Sequence, residues 1–310
     1  MINKIKYKIG FDHGAYPGLR TFFPQTTVID KGVYAITLLP PWSKSFELMH
    51  GLGGVYNMTF HGPAVVGKLF QELFFIDLES NVSRELDGTL EINRGSIGHI
   101  MAVEEIQKMG VCLSLQIFNK NRTGLHKVCL TDQSEIEHFH KIINELSALP
   151  YSSYEDESNT RFDERSWQND QSLHDLTVEE RYCESDPIHF RTLNKLLKEA
   201  SKNDIAIEVE LFNQTIEHKE VFCNFSIAQE DKALCLIQKG VEYKEYMLQY
   251  DLVGKVVLAK SITNRNAPTS IRVYGKCGCH CSTIAAHTNN CKKSLGIWHR
   301  AIFNHAKTAS

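Results

Sequence analysis

Apolar positions along the chain recur with two periods, and the changes from one period to the other mark the elements. From Val111 to Phe118 the residues Leu113, Leu115 and Ile117 recur at every second position, the period of a strand with one buried face. A polar turn over 119–124, closing on Gly124, leads to a second run, Leu125–Leu130, so the pair reads as a β-hairpin with a long loop. The period then changes. Ile136, Phe139, Ile142, Ile143 and Leu146 fall on one face of a helix that starts near Ser134.

The same order returns in the second half of the chain. Ser270–Tyr274 repeats the apolar pattern of Ser114–Phe118, a turn carries Gly275 and Gly278, and a short strand is expected near Ile284. A final helix follows, in which Trp298–Ile302 parallels Phe139–Ile143. Upstream, residues 45–52 read as a helix ended by Gly53 and Gly54 and followed by a strand over 55–60. Their counterparts are a helix over 190–201 and a strand over 205–211. Helices segregated from runs of strands predict an α+β fold, a tandem structural repeat in which each half is an antiparallel β-sheet with flanking helices. The stretch 150–171 is polar, acidic and poor in aliphatics, as an exposed linker is, so the repeats are expected at 1–149 and 172–310.

Composition adds boundaries to this picture. With 42% apolar and 23% charged residues in 310, the chain can bury a substantial core. A net charge of −3 gives no field to attract nucleic acid or an anionic membrane, so neither is expected as a partner. Met1–Gly10 interleaves lysines with apolar residues and lacks the apolar core of a secretory signal. No run approaches the ~18 apolar residues of a membrane span, and a cytoplasmic location follows by default. No glycine-rich phosphate loop follows a strand, and no G-x-S-x-G nucleophile setting is present.

A family resemblance rests on the hairpin and its neighbours. Ser114-Leu-Gln-Ile-Phe-Asn-Lys-Asn-Arg-Thr-Gly-Leu-His-Lys-Val-Cys-Leu130 resembles the S-L-Q-F-F-D-x-x-G-x-x-x-H-K-V-Y-L segment of bacterial heme-trafficking and hemin-degrading proteins of the HemS/HmuS type. Thr269–Tyr274 is similar to that family's T-S-L-E-L-F, and Trp298 with His299 and Arg300 to its C-terminal W-R. Trp42, Leu52 and Gly53 resemble an early W…LG-strand unit, and the likeness runs over about residues 30–303.

The resemblance implies heme as ligand, held between the two repeats by an axial His. It also implies a carrier or hemin-degrading role, and a heme-uptake permease or heme oxygenase as partner. The family's axial His follows a Trp by seven residues just after the linker; here Trp167 and His174 keep that spacing. Imidazole nitrogen is a good axial donor to heme iron. Other family positions differ. Val66 stands where an alternative His is found, and Glu91 stands at the propionate-binding Arg, with Arg94 able to substitute only after a change of register. The C-terminal Tyr-Gly-x-Arg segment falls on 285–288 without its Tyr or Arg, which leaves Lys260 as the cation near the family's R-K-P-T stretch. Binding fits the retained residues better than turnover does.

The family does not predict Cys277-Gly-Cys279-His280-Cys281 with His287 and Cys291. Thiolates two apart in a turn can converge on one ion, and sulfur with imidazole suits Zn²⁺ or Cu(I). No paired C-x-x-C is present, so a metal site, redox-active thiols and no specific role all stay open. The alternative function is therefore a protein of the same fold that has lost heme and holds zinc or another soft metal there. The other cysteines, Cys112, Cys129, Cys183, Cys223 and Cys235, read mostly as small core residues.

Overall fold

The computed structural model describes residues 33–76, 79–107, 110–120, 123–147, 182–213, 215–230, 233–240, 242–262 and 267–307. The linker 150–171 and the pair Trp167 and His174 lie outside the described residues. The chain divides into two compact units, with a boundary after Asp163 and with the short segment Thr59–Gly67 grouped with the second.

The first half runs β1 (Val33–Leu38), α1 (Trp42–Met49), β2 (Gly53–His61), β3 (Ala64–Phe70), β4 (Phe75–Ile76), β5 (Val82–Glu85) and β6 (Leu90–Asn93). It ends with β7 (Ile97–Gln107), β8 (Gly110–Asn119), β9 (Gly124–Ser134) and α2 (Ile136–Leu146). Strands β1, β7, β8, β9 and β2 lie side by side in that order, and β4, β5 and β6 form an antiparallel meander. Helices α1 and α2 pack on each other.

The second half repeats the plan element for element. It runs β10 (Tyr182–Glu184), α3 (Phe190–Lys202), β11 (Ile207–Phe212), β12 (Ile216–Phe222), β13 (Ser226–Glu230), β14 (Ala233–Gln238) and β15 (Lys244–Gln249). It closes with β16 (Val253–Ser261), β17 (Ser270–Gly275), β18 (His280–Ala286) and α4 (Lys292–Lys307). Strands β10, β16, β17, β18, β11 and β12 lie in that order, and β13, β14 and β15 form the second meander. The predicted α+β tandem repeat is the fold observed.

The duplication extends to irregularities. The β7–β8 ladder shifts register between Ile97 and His99, and the β16–β17 ladder between Val253 and Lys255. Each shift is centred on a glycine. A Cβ on Gly98 would come within 2.4 Å of the Asn119 carbonyl oxygen, and one on Gly254 within 2.4 Å of that of Gly275. Backbone approaches side chain space at both, so only glycine fits. The following hairpins shift too, between Ile117 and Phe118 and between Val273 and Tyr274.

Helix packing follows the sequence period. On α3 the residues Leu193, Leu196, Leu197 and Ala200 form one buried stripe, against Val256, Leu258, Ile271, Val273 and Ile284 of the sheet. Each such leucine contributes about 1.5–3 kcal/mol by leaving water. Trp298 is fully buried in the same core, as Phe139 is at its counterpart position, and its indole N–H donates to the Thr269 carbonyl at 2.8 Å. His138 ties the two helices of the first half together. Half-buried, its Nε2 lies 2.6 Å from the Leu48 carbonyl. Two of the singly placed cysteines depart from the core reading, since Cys183 and Cys223 are exposed while Cys129 and Cys235 are buried.

Candidate functional site

The strands that carry the expected ligand-binding positions present alternate side chains on an outer, partly exposed face. On β10, β16 and β17 this face holds a compact charged group around Glu184. Its carboxylate accepts from the Tyr274 hydroxyl and lies 3.6 Å from both Lys255 Nζ and Arg272 Nη1. The Arg272 guanidinium stacks 3.5 Å over the Tyr182 ring, and Lys255 sits 4.3 Å over that of Tyr274. Burial first, and then its bond to Glu184, push the Tyr274 hydroxyl up to about 12, so it stays a neutral donor at neutral pH.

Lys260 lies near the far end of β16, exposed, opposite Cys183 of β10. Its ammonium is open to solvent and able to meet a carboxylate. In the first unit Arg94 follows β6 in a single 3-10 turn and is 8% exposed. Burial lowers its guanidinium from the ordinary value. Glu91 is not the bare charge that the sequence suggested. It stands opposite Arg84 in the β5–β6 register and accepts from Arg84 Nε at 2.7 Å, so its repulsion of an incoming carboxylate is offset. Arg84 carried no signal in the sequence, because its partner is set by strand register.

Among the described residues no group of three or more His, Cys, Asp or Glu side chains is placed to hold a metal ion. Cys277 and Cys279 occupy the β17–β18 turn, and Cys281 points inward, 1% exposed. Burial pushes the Cys281 thiol well above its usual range. His280 Nε2 lies 3.2 Å from the Ser282 carbonyl and 3.1 Å from the Thr283 hydroxyl. His287 Nδ1 lies 3.0 Å from Glu208 Oε2, and exposed Cys291 immediately precedes α4, its sulfur 3.2 Å from the Ser294 hydroxyl. Cys279 and Cys281 are both buried in the core of the second unit, with Cys277 packed against it, while His280 between them is partly exposed.

A cavity of about 610 Å³ lies in the second unit, where the first two turns of α3 face the start of β16. Phe190 and Tyr250 form part of its wall, packed edge to face with centroids 4.2 Å apart. Arg191, Lys195, Lys198 and Lys255 also line it.

The fold is one found in solved bacterial heme proteins. It matches the heme-degrading enzyme ChuS of Escherichia coli with a TM-score of 0.65 at 13% identity, covering 88% of this chain and 87% of that one. It matches holo-PhuS, a heme-binding protein from Pseudomonas aeruginosa, with a TM-score of 0.60 at 14% identity over 86% of each chain. At these identities the likeness is one of fold. No family model and no curated protein matches the sequence.

Proposed function

We propose that this chain is a cytoplasmic heme-binding protein that carries heme, with His174 as the axial ligand. The observation that carries the reading is the fold shared with a heme-binding protein over 86% of both chains. The seven-residue step from Trp167 to His174, at the place where the resembling family keeps its ligand, supports the choice of residue. A neutral imidazole nitrogen supplies the axial bond to iron.

Lys260 suits a heme propionate better than Arg94 does. Its ammonium is exposed, whereas Arg94 would have to leave a buried position to reach a ligand. Carriage is favoured over degradation because the family's alternative His position is Val66, which is fully buried and offers no donor to bound oxygen. The test is to load the protein with hemin and add ascorbate in air. A carrier retains its Soret band over the time in which a heme-degrading enzyme loses it, and rapid loss with a biliverdin-like product would overturn the carrier reading.

A further inference from the structure

The two hairpins that repeat along the chain close their turns differently. Between β8 and β9 the Asn119 N–H donates to the Thr123 carbonyl at 3.0 Å, and the Asn119 side chain accepts the Thr123 N–H at 2.8 Å. Between β17 and β18 the Gly275 N–H donates to the Cys279 carbonyl at 2.9 Å. Gly275 therefore stands where Asn119 does, with no side chain to close the turn. Two sulfurs border the space instead. A Cβ on Gly275 would lie 3.3 Å from Cys277 Sγ and 3.4 Å from Cys281 Sγ.

Strand register places Cys281 there. The ladder steps from Val273–Ser282 to Tyr274–His280, so Cys281 is the extra residue of a β-bulge. The matching residue of the first hairpin is Leu125, an ordinary buried aliphatic. Cys281 is buried as deeply, and its sulfur lies 3.2 Å from the Cys279 carbonyl. A Cβ on Gly62 would come within 2.6 Å of the same sulfur, so the turn after β2 closes that side. Cys277 is only half-buried, and both residues are free thiols. A thiol that reaches solvent thus sits beside a shielded one.

We infer that Cys277 and Cys281 form a reversible dithiol–disulfide couple that responds to hydrogen peroxide. The Cys277 sulfur attacks a peroxide oxygen: an S–O bond forms, the O–O bond breaks, and hydroxide leaves with the thiol proton as water. The Cys281 sulfur then attacks the Cys277 sulfur. An S–S bond forms, the S–O bond breaks, and the Cys281 proton leaves with the hydroxide as a second water. The thiols lose two electrons in all, and the peroxide takes them. Burial keeps Cys281 protonated and away from the oxidant, so it acts second. Gly275 and Gly278 lie on either side of Cys277, and their backbone freedom lets the turn adopt disulfide geometry. In a reducing compartment such a bond is transient and marks exposure to oxidant.

The test exposes reduced protein to hydrogen peroxide, removes the excess with catalase, and unfolds the chain in N-ethylmaleimide to block every remaining thiol. Reduction and iodoacetamide then mark the cysteines that had been reversibly oxidised, and peptide mass spectrometry locates them. Cys277 and Cys281 are expected to carry the second label together, at least about tenfold above Cys279 and Cys291. Cys279→Ser should close the same bond. In Cys281→Ala the oxidation of Cys277 should stop at the sulfenic acid, which dimedone traps, with the fold checked by circular dichroism. The wild-type map alone decides the pairing, whether or not that variant keeps its fold. The inference is overturned if Cys277 and Cys281 take N-ethylmaleimide after peroxide as they do before it, or if Cys277 pairs with Cys279 or Cys291 instead.

Discussion

Lys244 Nζ lies 2.8 Å from Oε2 of Glu220, and Glu220 is wholly buried. The pair continues inward, with Glu220 Oε1 3.4 Å from His218 Nε2 and His218 Nδ1 2.7 Å from the Thr59 hydroxyl. Glu220 is the fifth residue of seven-residue β12, and the fifth residue of seven-residue β3 is Lys68, which is paired with Asp87. The two repeats thus keep a buried, paired charge at one position with its sign exchanged, although Asp87, unlike Lys244, is exposed.

Removing one partner leaves the other charged in a dry place. Lys244→Met is expected to cost about 3–5 kcal/mol in urea unfolding, and Glu220→Gln combined with Lys244→Met to recover much of that loss. A loss under about 1 kcal/mol for the single variant would show that water reaches Glu220.

Glu85 should make stability fall as pH rises from mildly acidic values to about 8. Burial first, then its hydrogen bond to Asp87, raise its pKa to about 8. Burial also pushes Asp87 up, but bonds from Glu85, Lys68 and Thr89 outweigh this and hold its carboxyl below the usual range. A carboxyl whose pKa is raised by folding contributes stability that is full below its unfolded value of 4.5 and is lost as pH rises through about 8. Thermal melts between pH 6 and 9 should show a declining midpoint that flattens in Glu85→Gln.

His50 acts in the opposite direction. Its Nε2 accepts the Phe75 N–H at 2.9 Å and its ring stacks 4.3 Å from that of Phe74, and burial lowers its pKa below 6.5. The neutral form is favoured in the fold, so stability is full above 6.5 and is lost as pH falls below it. His50→Gln, which keeps an acceptor without titrating, should remove part of the decline between pH 7 and 5.

The thiols should separate by reactivity. Cys291 is exposed, and hydrogen bonds from Ser294, chiefly from its side chain, lower its thiol below the usual value, whereas burial raises Cys281. Brief alkylation of the folded protein with iodoacetamide, read by peptide mass spectrometry, should label Cys291 first and leave Cys281 unmodified until the protein is unfolded. Equal labelling of both would contradict the packing around Cys281.

Elements whose evidence is local were legible in the sequence. The hairpin of β8 and β9 and helices α2 and α3 follow from two apolar periods, and the parallel of Phe139–Ile143 with Trp298–Ile302 identified the duplication, since Phe139 and Trp298 are both buried. Register and tertiary approach were not legible. The Arg84–Glu91 pair depends on which residue of β5 faces which of β6, and the α3 cavity unites Arg191 with Lys255 across 64 positions. That Cys279 and Cys281 are both buried, with His280 between them partly exposed, likewise depends on how the turn enters β18.

The central claim, heme binding through His174, is tested most directly by titrating hemin into the wild type and His174→Ala and following absorbance near ~400 nm. Saturation of the wild type near one heme per chain, with a weakened or spectrally altered complex in the variant, is the predicted result. Identical titrations for the two proteins, or no saturable binding by the wild type, would contradict it.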